Sequence, residues 1–158
     1  NFKLYMTNYI FKSIIGNVEI TAFNQKVSSV KLTRKKTTRT KDKLLLRAAL
    51  QINSFLMRKR RSLTFPTKQI GTKFQRRVWN QLRKVPYGKT TSYGQIAKRL
   101  RTSPRAVGGA LGRNNLMMSV PCHRVVAKDG RLTGFTSVGG IQAKRRLLKI
   151  ENKSSNKS

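Results

Sequence analysis

The single cysteine of this chain lies next to its single histidine, in the string Pro121-Cys122-His123-Arg124-Val125. A thiol reacts as a nucleophile only as the thiolate, and a neighbouring imidazole or cation raises the thiolate fraction. Residues adjacent in sequence need not face each other, so an inert buried cysteine beside a surface histidine is the alternative. On these residues alone, both interpretations stay open.

The scarcity of acidic residues excludes several other kinds of chemistry. The 158 residues include 36 Lys and Arg but only four Asp and Glu, for a formal net charge of +32. Carboxylate-based calcium or glycosidase sites therefore lack ligands, and one cysteine supplies neither an intrachain disulfide nor a multi-cysteine zinc site. A charge of this size and single sign calls for an acidic partner: DNA, RNA or, less readily, an anionic membrane surface.

Hydropathy gives no sign of a membrane span or an export signal. No apolar run approaches the roughly 18 residues that a membrane helix needs, and no signal-peptide pattern is present. The sequence therefore predicts an intracellular protein without a membrane anchor. Nucleus and cytoplasm both stay open, because basic runs resemble import signals in any strongly basic chain.

The first part of the chain is predicted to form an antiparallel meander and one covering helix. β-Branched and aromatic residues separated by turn residues predict three strands, Leu4–Ile10, Val18–Phe23 and Val27–Leu32. A basic, Thr-rich loop at Thr33–Lys41 follows. Asp42 is the predicted N-cap of a helix whose apolar residues recur at three- and four-residue steps, so that one face can cover the sheet.

The second part is predicted to be mostly helical. One helical pattern opens at Thr72 and ends before the turn Val85-Pro86-Tyr87-Gly88. Ser92 is placed to cap a short helix, and Pro104 lies in the first turn of the next. Two short helices joined by a short turn form a helix-turn-helix, which in so basic a chain favours a DNA contact; an ordinary packed helix pair is the alternative.

A long series of motifs in unbroken order resembles one protein family. The Pro-Cys-His-Arg-Val string follows Arg105-Ala106-Val107-Gly108-Gly109-Ala110 and Asn114, and precedes Thr133-Gly134-Phe135 and Lys144…Leu147-Leu148…Glu151, with Gly71–Trp79 and Thr91–Ala97 upstream. Over residues 65–151 this order closely resembles the O6-alkylguanine-DNA alkyltransferases, also called methylated-DNA–protein-cysteine methyltransferases. The first 65 residues resemble the family loosely, through the meander and helix of its ribonuclease-H-like N-terminal domain.

The predicted architecture is therefore α+β, with a helix-turn-helix in the second half. An N-terminal α/β domain is expected over residues 1–69, an alkyltransferase and DNA-binding domain over 70–151, and a polar, disordered tail over 152–158.

The resemblance implies a single-turnover DNA repair reaction. The family flips an O6-alkylated guanine out of double-stranded DNA, approached through the minor groove, and transfers the alkyl group irreversibly to its own cysteine; O4-alkylthymine is a further implied substrate. A thiolate can displace an alkyl carbon in line if donors stabilise the departing base. The resemblance implies a monomer with no cofactor, no metal and no external methyl donor.

The resemblance also implies roles for four catalytic residues. Cys122 would accept the alkyl group, and His123 would take its proton through a water. Glu151 would orient and charge the imidazole, although a helix-end carboxylate among basic residues is the alternative. Asn114 would brace the turn that holds the cysteine segment, or simply cap a helix, or do both.

The remaining implied roles concern the base and the DNA. Tyr93 would donate to the guanine ring, and the carbonyls of Cys122 and Val125 would read its exocyclic amine. Phe135 and the loop Gly134–Gly140 would close over the alkyl group, with a backbone or Ser137 donor near O6. Arg105 would enter the base stack in place of the flipped nucleotide. The other implied DNA contacts are Thr91, Ser92, Ala106, Gly108, Gly109, Arg113 and Arg124.

Two departures from the family pattern leave other functions open. Phe135 and Lys144 stand nine positions apart where the family has seven, and Asn115 occupies a position where proline is common. A lesion- or nucleic-acid-binding module with an inert Cys122 is therefore the main alternative. A Cys–His hydrolase is a weaker one, because no plausible oxyanion turn is present.

Overall fold

Three antiparallel strands open the fold. The structure, a computed structural model, describes residues 6–135 and 138–152. Strands β1 (Met6–Ser13), β2 (Gly16–Phe23) and β3 (Lys26–Thr33) form one sheet in the order β1-β2-β3. The predicted meander is confirmed, but β1 extends to Ser13. The turn between β1 and β2 is closed by Gly16, whose φ of 120° favours glycine.

Helix α1 (Lys43–Leu56) covers one face of this sheet, as predicted. The Asp42 carboxylate accepts a hydrogen bond from the Leu45 N–H at 3.1 Å and so caps the helix. The basic loop before it lies along the free edge of β1, where Thr38 exchanges two 2.9 Å hydrogen bonds with Ile10. This loop covers backbone groups that an edge strand would otherwise expose.

The second part begins with three helices. They are α2 (Lys73–Arg83), α3 (Tyr93–Leu100) and α4 (Pro104–Gly112). Ser92 caps α3 and Pro104 stands at the start of α4, as predicted. Thr72 and Ser92 each complete a capping box. A turn of three residues joins α3 to α4, and the two helices pack together in the predicted helix-turn-helix arrangement.

Short backbone links connect the cysteine segment to the rest of the molecule. Residues Cys122–Arg124 form one 3₁₀ turn, and β5 (Val125–Val126) pairs in parallel with β4 (Thr91–Ser92) at the start of α3. On the other side, Val30 of β3 accepts from Met117 N at 3.1 Å and donates to the Asn115 carbonyl at 2.9 Å. The first sheet therefore positions the loop that precedes the cysteine.

One continuous hydrophobic core runs through both parts of the chain. It includes Ile20 of β2 and Ile52 of α1 as well as Trp79, Leu116 and Leu147 of the second part. The predicted domain boundary near residue 69 stays a prediction. The final helix, α5 (Gly140–Asn152), includes Asn152, which was expected to begin the tail. Leu4, Ser137 and tail residues 153–158 lie outside the described residues.

Among the helices that the structure describes, none has both the length and the hydropathy required to cross a lipid bilayer.

Candidate active site

Cys122 is half-buried and lines a cavity of about 530 Å³. This volume falls within the range typical of small-molecule sites. Tyr93, Asn114, Gly134 and Phe135 line the same cavity, so the structure brings together four residues that the sequence predicted around the cysteine. The space is formed where the cysteine turn, the start of α3, the end of α4 and the first sheet meet.

His123 and Glu151 form a fully buried pair beneath this cavity. The His123 Nε2 and Glu151 Oε2 atoms are 2.5 Å apart, although 28 positions separate the residues in sequence. The Glu151 Oε1 atom also accepts from the Gly88 N–H at 3.1 Å. Glu151 is therefore a buried partner of the imidazole, as the resemblance implied, and not a solvated helix-end carboxylate.

The ionisation of this pair decides which ring nitrogen can act as a base. Burial alone would raise the pKa of Glu151, but hydrogen bonds and charges from His123 and Arg124 lower it to about 2. Burial lowers the pKa of His123, against the opposing effect of Glu151. A neutral imidazole beside an ionised carboxylate carries its proton on Nε2, since the carboxylate can only accept. The Nδ1 lone pair is then available, and this buried atom has no hydrogen-bond partner among the described residues.

Arg124 completes the buried network, and this corrects one prediction. Its Nε and Nη2 atoms donate to the two Glu151 oxygens at 2.9 and 3.0 Å, and Nη1 donates to the Val85 carbonyl at 2.8 Å. The side chain is 7% exposed. The prediction that Arg124 contacts DNA is wrong, because its guanidinium is buried and each of its three nitrogens donates to a protein acceptor. The position of Arg124 next to His123 in the motif did not indicate whether its side chain points into the protein or out to the surface.

The thiol of Cys122 experiences opposing influences. Burial raises its pKa, whereas a hydrogen bond from Asn114 and the positive charge of Lys144 lower it, and the net direction is upward. In this state the thiol is held protonated at neutral pH. The neighbouring residue, His123, has an unpartnered ring nitrogen of the kind that can accept a proton.

Asn114 braces the loop before the cysteine, as expected. Its Nδ2 donates to the Val120 carbonyl at 2.9 Å, and its Oδ1 accepts from the Leu116 N–H at 3.0 Å. The cap residue of α4 is Arg113 and not Asn114. Of the two predicted roles, the brace is therefore present and the helix cap is not.

Lys144 is a buried cation that ties the loop after residue 132 to α5. Its Nζ donates to the Thr133 carbonyl at 2.8 Å and lies 5.9 Å from the centroid of the Tyr93 ring. The Tyr93 hydroxyl donates to the same carbonyl at 3.1 Å. Predicted contacts of Tyr93 and Phe135 with a base stay predictions, as does the donor at Ser137, which lies outside the described residues.

The exposed surface of α4 consists of small residues next to one long cation. Arg105 and Gly109 are exposed, and Ala106 and Gly108 are half-buried. A Cβ atom built on Gly108 or Gly109 meets nothing within 4 Å, so neither glycine is needed for packing inside the protein. By contrast, a Cβ on Gly71 would lie 2.4 Å from the Trp79 ring. The surface of α4 at Gly108 and Gly109 is therefore open.

The other predicted DNA residues have mixed surroundings. Arg113 is exposed at the end of α4. Ser92 accepts from the Gln95 N–H at 3.1 Å, and the Thr91 hydroxyl is 3.0 Å from the Gln95 Oε1 atom, so both hydroxyls already have partners in the cap of α3. Val125 is buried and its N–H donates to the Cys122 carbonyl. Their contacts with DNA or with a base stay predictions.

Strand β3 contributes a wall of the cavity that the sequence did not predict. Lys31 and Lys35 line it, with their Nζ atoms 3.8 and 3.4 Å from the buried carboxylate of Glu19. Burial acts to raise the pKa of Glu19, but hydrogen bonds from Asn8 and Lys35 and the charges of both lysines lower it overall. The available signal was Glu19 itself, an acid between two apolar residues of β2 in a chain with only four acids.

The fold and the site together define a class of protein. A model of the family described as 6-O-methylguanine DNA methyltransferase, DNA binding domain, matches residues 73–153. The chain belongs to this family of O6-methylguanine-DNA methyltransferases.

Individual relatives agree with this assignment. The chain is 44% identical over 109 residues to the inducible methylated-DNA–protein-cysteine methyltransferase of Bacillus subtilis, covering 68% of this chain and 60% of the relative. It is 42% identical over 106 residues to the Methanosarcina acetivorans protein of that name, covering 66% of this chain and 67% of the relative. For the Haemophilus influenzae protein the matched region is 48% of the relative, so the chain spans about half to two thirds of these curated relatives.

Solved structures extend the similarity to the first sheet. The crystal structure of Mycobacterium tuberculosis O6-methylguanine methyltransferase superposes with a TM-score of 0.83 at 31% identity, covering 98% of this chain and 97% of that chain. A crystal structure of M. tuberculosis OGT in complex with DNA gives a TM-score of 0.80 at 35% identity, covering 91% of each chain. The predicted α+β architecture is confirmed over nearly the whole chain.

Proposed function

We propose that this protein repairs DNA by transferring the alkyl group of O6-alkylguanine to its own Cys122, once and irreversibly. The observation that carries the proposal is the buried His123–Glu151 pair, with a lone pair on Nδ1, beside a thiol in a cavity of about 530 Å³. Family membership supplies the reaction class, and O4-alkylthymine is a further substrate under the same chemistry. The protein acts as a single chain.

In the proposed reaction the Cys122 thiol loses its proton to His123 Nδ1 through a bridging water. The resulting thiolate sulfur forms a bond to the alkyl carbon, and the bond from that carbon to guanine O6 breaks. The electron pair goes to the purine, which is protonated by a donor in the cavity; we assign this donor to the Tyr93 hydroxyl. Once solvent has taken the extra proton from His123 and returned one to the Tyr93 phenolate, the net result is that a hydrogen replaces the alkyl group on guanine and a thioether remains on the protein.

The same proposal assigns the DNA contact to α4. A helix surface with two glycines and an alanine can approach the narrow minor groove, where readout of sequence is low. Arg105 then fills the position of the flipped nucleotide. Flipping a base costs a few kcal/mol, which contacts from this helix and the surrounding lysines offset. Low sequence discrimination is what a protein that searches for lesions requires.

Intact-protein mass spectrometry after incubation with a duplex containing O6-methylguanine tests the proposal. We expect a gain of one methylene per molecule, located on Cys122 by peptide mapping, and none with Cys122→Ser. His123→Gln is expected to slow transfer by about 10²–10⁴-fold, the usual contribution of a general base. Tight binding of the lesion duplex with no mass gain would instead identify a binding module with a silent thiol.

A further inference from the structure

The Asn114 side chain is held in one orientation by partners on both sides. The nitrogen and oxygen of its amide group are similar in shape and differ in that Nδ2 donates hydrogen bonds while Oδ1 accepts them. Oδ1 accepts from the Gln69 Nε2 at 2.8 Å as well as from the Leu116 N–H, and Nδ2 donates to the Val120 carbonyl. Gln69 belongs to the segment that links the two parts of the fold and was not among the predicted site residues.

Gln69 is itself oriented by a group that can only donate. The Arg83 Nη2 atom donates to the Gln69 Oε1 at 3.2 Å, and Arg83 Nη1 donates to the Asn80 Oδ1 at 2.9 Å. A guanidinium has no acceptor, so Gln69 must present its oxygen to Arg83 and its amine to Asn114. The hydrogen bonds therefore run in one direction, from Arg83 through Gln69 and Asn114 to the loop before Cys122.

We infer that Gln69, oriented by Arg83, is a positioning residue that keeps the amine of Asn114 directed at the cysteine segment and so favours the Cys122 thiolate. A reversed Asn114 amide would place Oδ1 against the Val120 carbonyl and near the thiolate, which are both acceptors. The inference rests on the proposed function for the importance of the thiolate. A hydrogen bond from Asn114 is one of the interactions that lower the pKa of Cys122, consistent with this role.

The pH dependence of Cys122 alkylation by iodoacetamide tests this directly, because no lesion DNA is needed. Gln69→Met keeps the side chain's length and neutrality but removes both hydrogen bonds. We expect its alkylation midpoint to rise by about half a pH unit, which corresponds to about threefold less thiolate below the midpoint. Methyl transfer at neutral pH is expected to slow by about the same factor. The effect of Gln69→Met on the midpoint and on the rate should disappear when Asn114 is already replaced by Ala, since Gln69 acts through the amide of Asn114.

Three further variants control for charge and for general disturbance. Gln142→Met removes an equivalent exposed pair on α5, in which Gln142 accepts from Arg145 at 3.1 Å, and should leave midpoint and rate unchanged. Arg83→Met should shift the midpoint in the same direction as Gln69→Met, and Arg83→Lys, which retains a pure donor, should restore it. Thermal unfolding of every variant identifies any that fail to fold. If Gln69→Met does not fold, Arg83→Met takes its place in the test.

The outcomes separate this inference from the proposed function. The inference would be overturned if Gln69→Met had the same alkylation midpoint and transfer rate as the control Gln142→Met. If Arg83→Met is used in place of Gln69→Met, the same comparison applies to it. An unchanged shift in the Asn114→Ala background would also overturn it, since the effect would then bypass Asn114. If the wild-type protein gains no methyl group but the midpoint still shifts as expected, the proposed function fails while the positioning role of Gln69 holds.

Discussion

At the scale of single residues, the site depends on one carboxylate that accepts hydrogen bonds from two donors of different kinds. Glu151 accepts from the neutral imidazole of His123 and from the permanently charged Arg124. Arg124 keeps the carboxylate ionised, and the ionised carboxylate in turn fixes the proton of His123 on Nε2. Through Glu151, Arg124 therefore helps to fix which ring nitrogen of His123 carries the proton.

This arrangement predicts that acid destabilises the protein in two stages. The pKa of His123 is below its ordinary 6.5 and that of Glu151 is about 2 instead of 4.5, so the unfolded chain binds more protons in both windows. Stability should start to fall below pH 6.5, and fall further between 4.5 and 2 by about 3 kcal/mol, at about 1.4 kcal/mol per pKa unit. Urea unfolding across this pH range measures both stages.

A control for this prediction is Asp129→Asn, which removes an exposed acid whose partner is Arg131. Its stability curve should run parallel to that of the wild type at every pH, because exposed ion pairs contribute little. A wild-type curve that is flat between pH 4.5 and 2 would contradict the assigned ionisation of Glu151.

Replacing Arg124 and Arg105 separately distinguishes a structural arginine from a DNA-binding one. Arg124→Gln should cost about 3–5 kcal/mol of unfolding free energy, because a buried carboxylate loses its charged partner. Arg105→Gln, at an exposed position, should change stability by less than about 0.5 kcal/mol yet weaken DNA binding. Chemical denaturation and fluorescence anisotropy with a labelled duplex give the two readouts. The opposite pattern would restore Arg124 as a surface contact.

At the scale of elements, the glycines of α4 predict a conflict between stability and binding. Because a Cβ at Gly108 or Gly109 meets nothing, Gly108→Ala and Gly109→Ala should each stabilise the folded protein by about 0.5–1 kcal/mol. Both should weaken duplex binding if this face enters the minor groove. Thermal unfolding and anisotropy titration measure the two effects. Gly71→Ala is the matched contrast, since its methyl group would collide with Trp79 and should lower stability.

Elements specified by local chemistry could be predicted from the sequence, and contacts between distant elements could not. Asp42 and Ser92 cap their helices as predicted, since a cap is formed within three or four residues. The direction of Arg124 depends on a carboxylate 27 positions away, and the Gln69–Asn114 contact joins residues 45 apart. No local pattern encodes such separations, and only the family resemblance located Glu151.

At the scale of the whole molecule, the first sheet is part of the site and not merely a support for it. Val30 holds the loop before the cysteine, while Lys31 on the same strand and Lys35, two residues past its end, line the cavity. The balance of two lysines against Glu19 leaves positive charge on this wall. Part of the net charge of +32 therefore lies beside the first sheet as well as around α4.

The position of these lysines predicts a specific salt dependence of DNA binding. Counterion release makes the logarithm of affinity fall linearly with the logarithm of salt, by close to one unit of slope for each phosphate contacted. Replacing Lys31 and Lys35 with Gln should therefore reduce the slope by about one to two. Substituting Lys59 and Arg60, which belong to the basic run Arg58–Arg61 and do not line the cavity, should leave the slope unchanged. Anisotropy titrations from low to physiological salt give the slopes. Equal losses for both pairs would mean that the excess charge binds DNA diffusely, whereas a loss confined to Lys31 and Lys35 would place this wall of the cavity against the phosphates of the lesion strand.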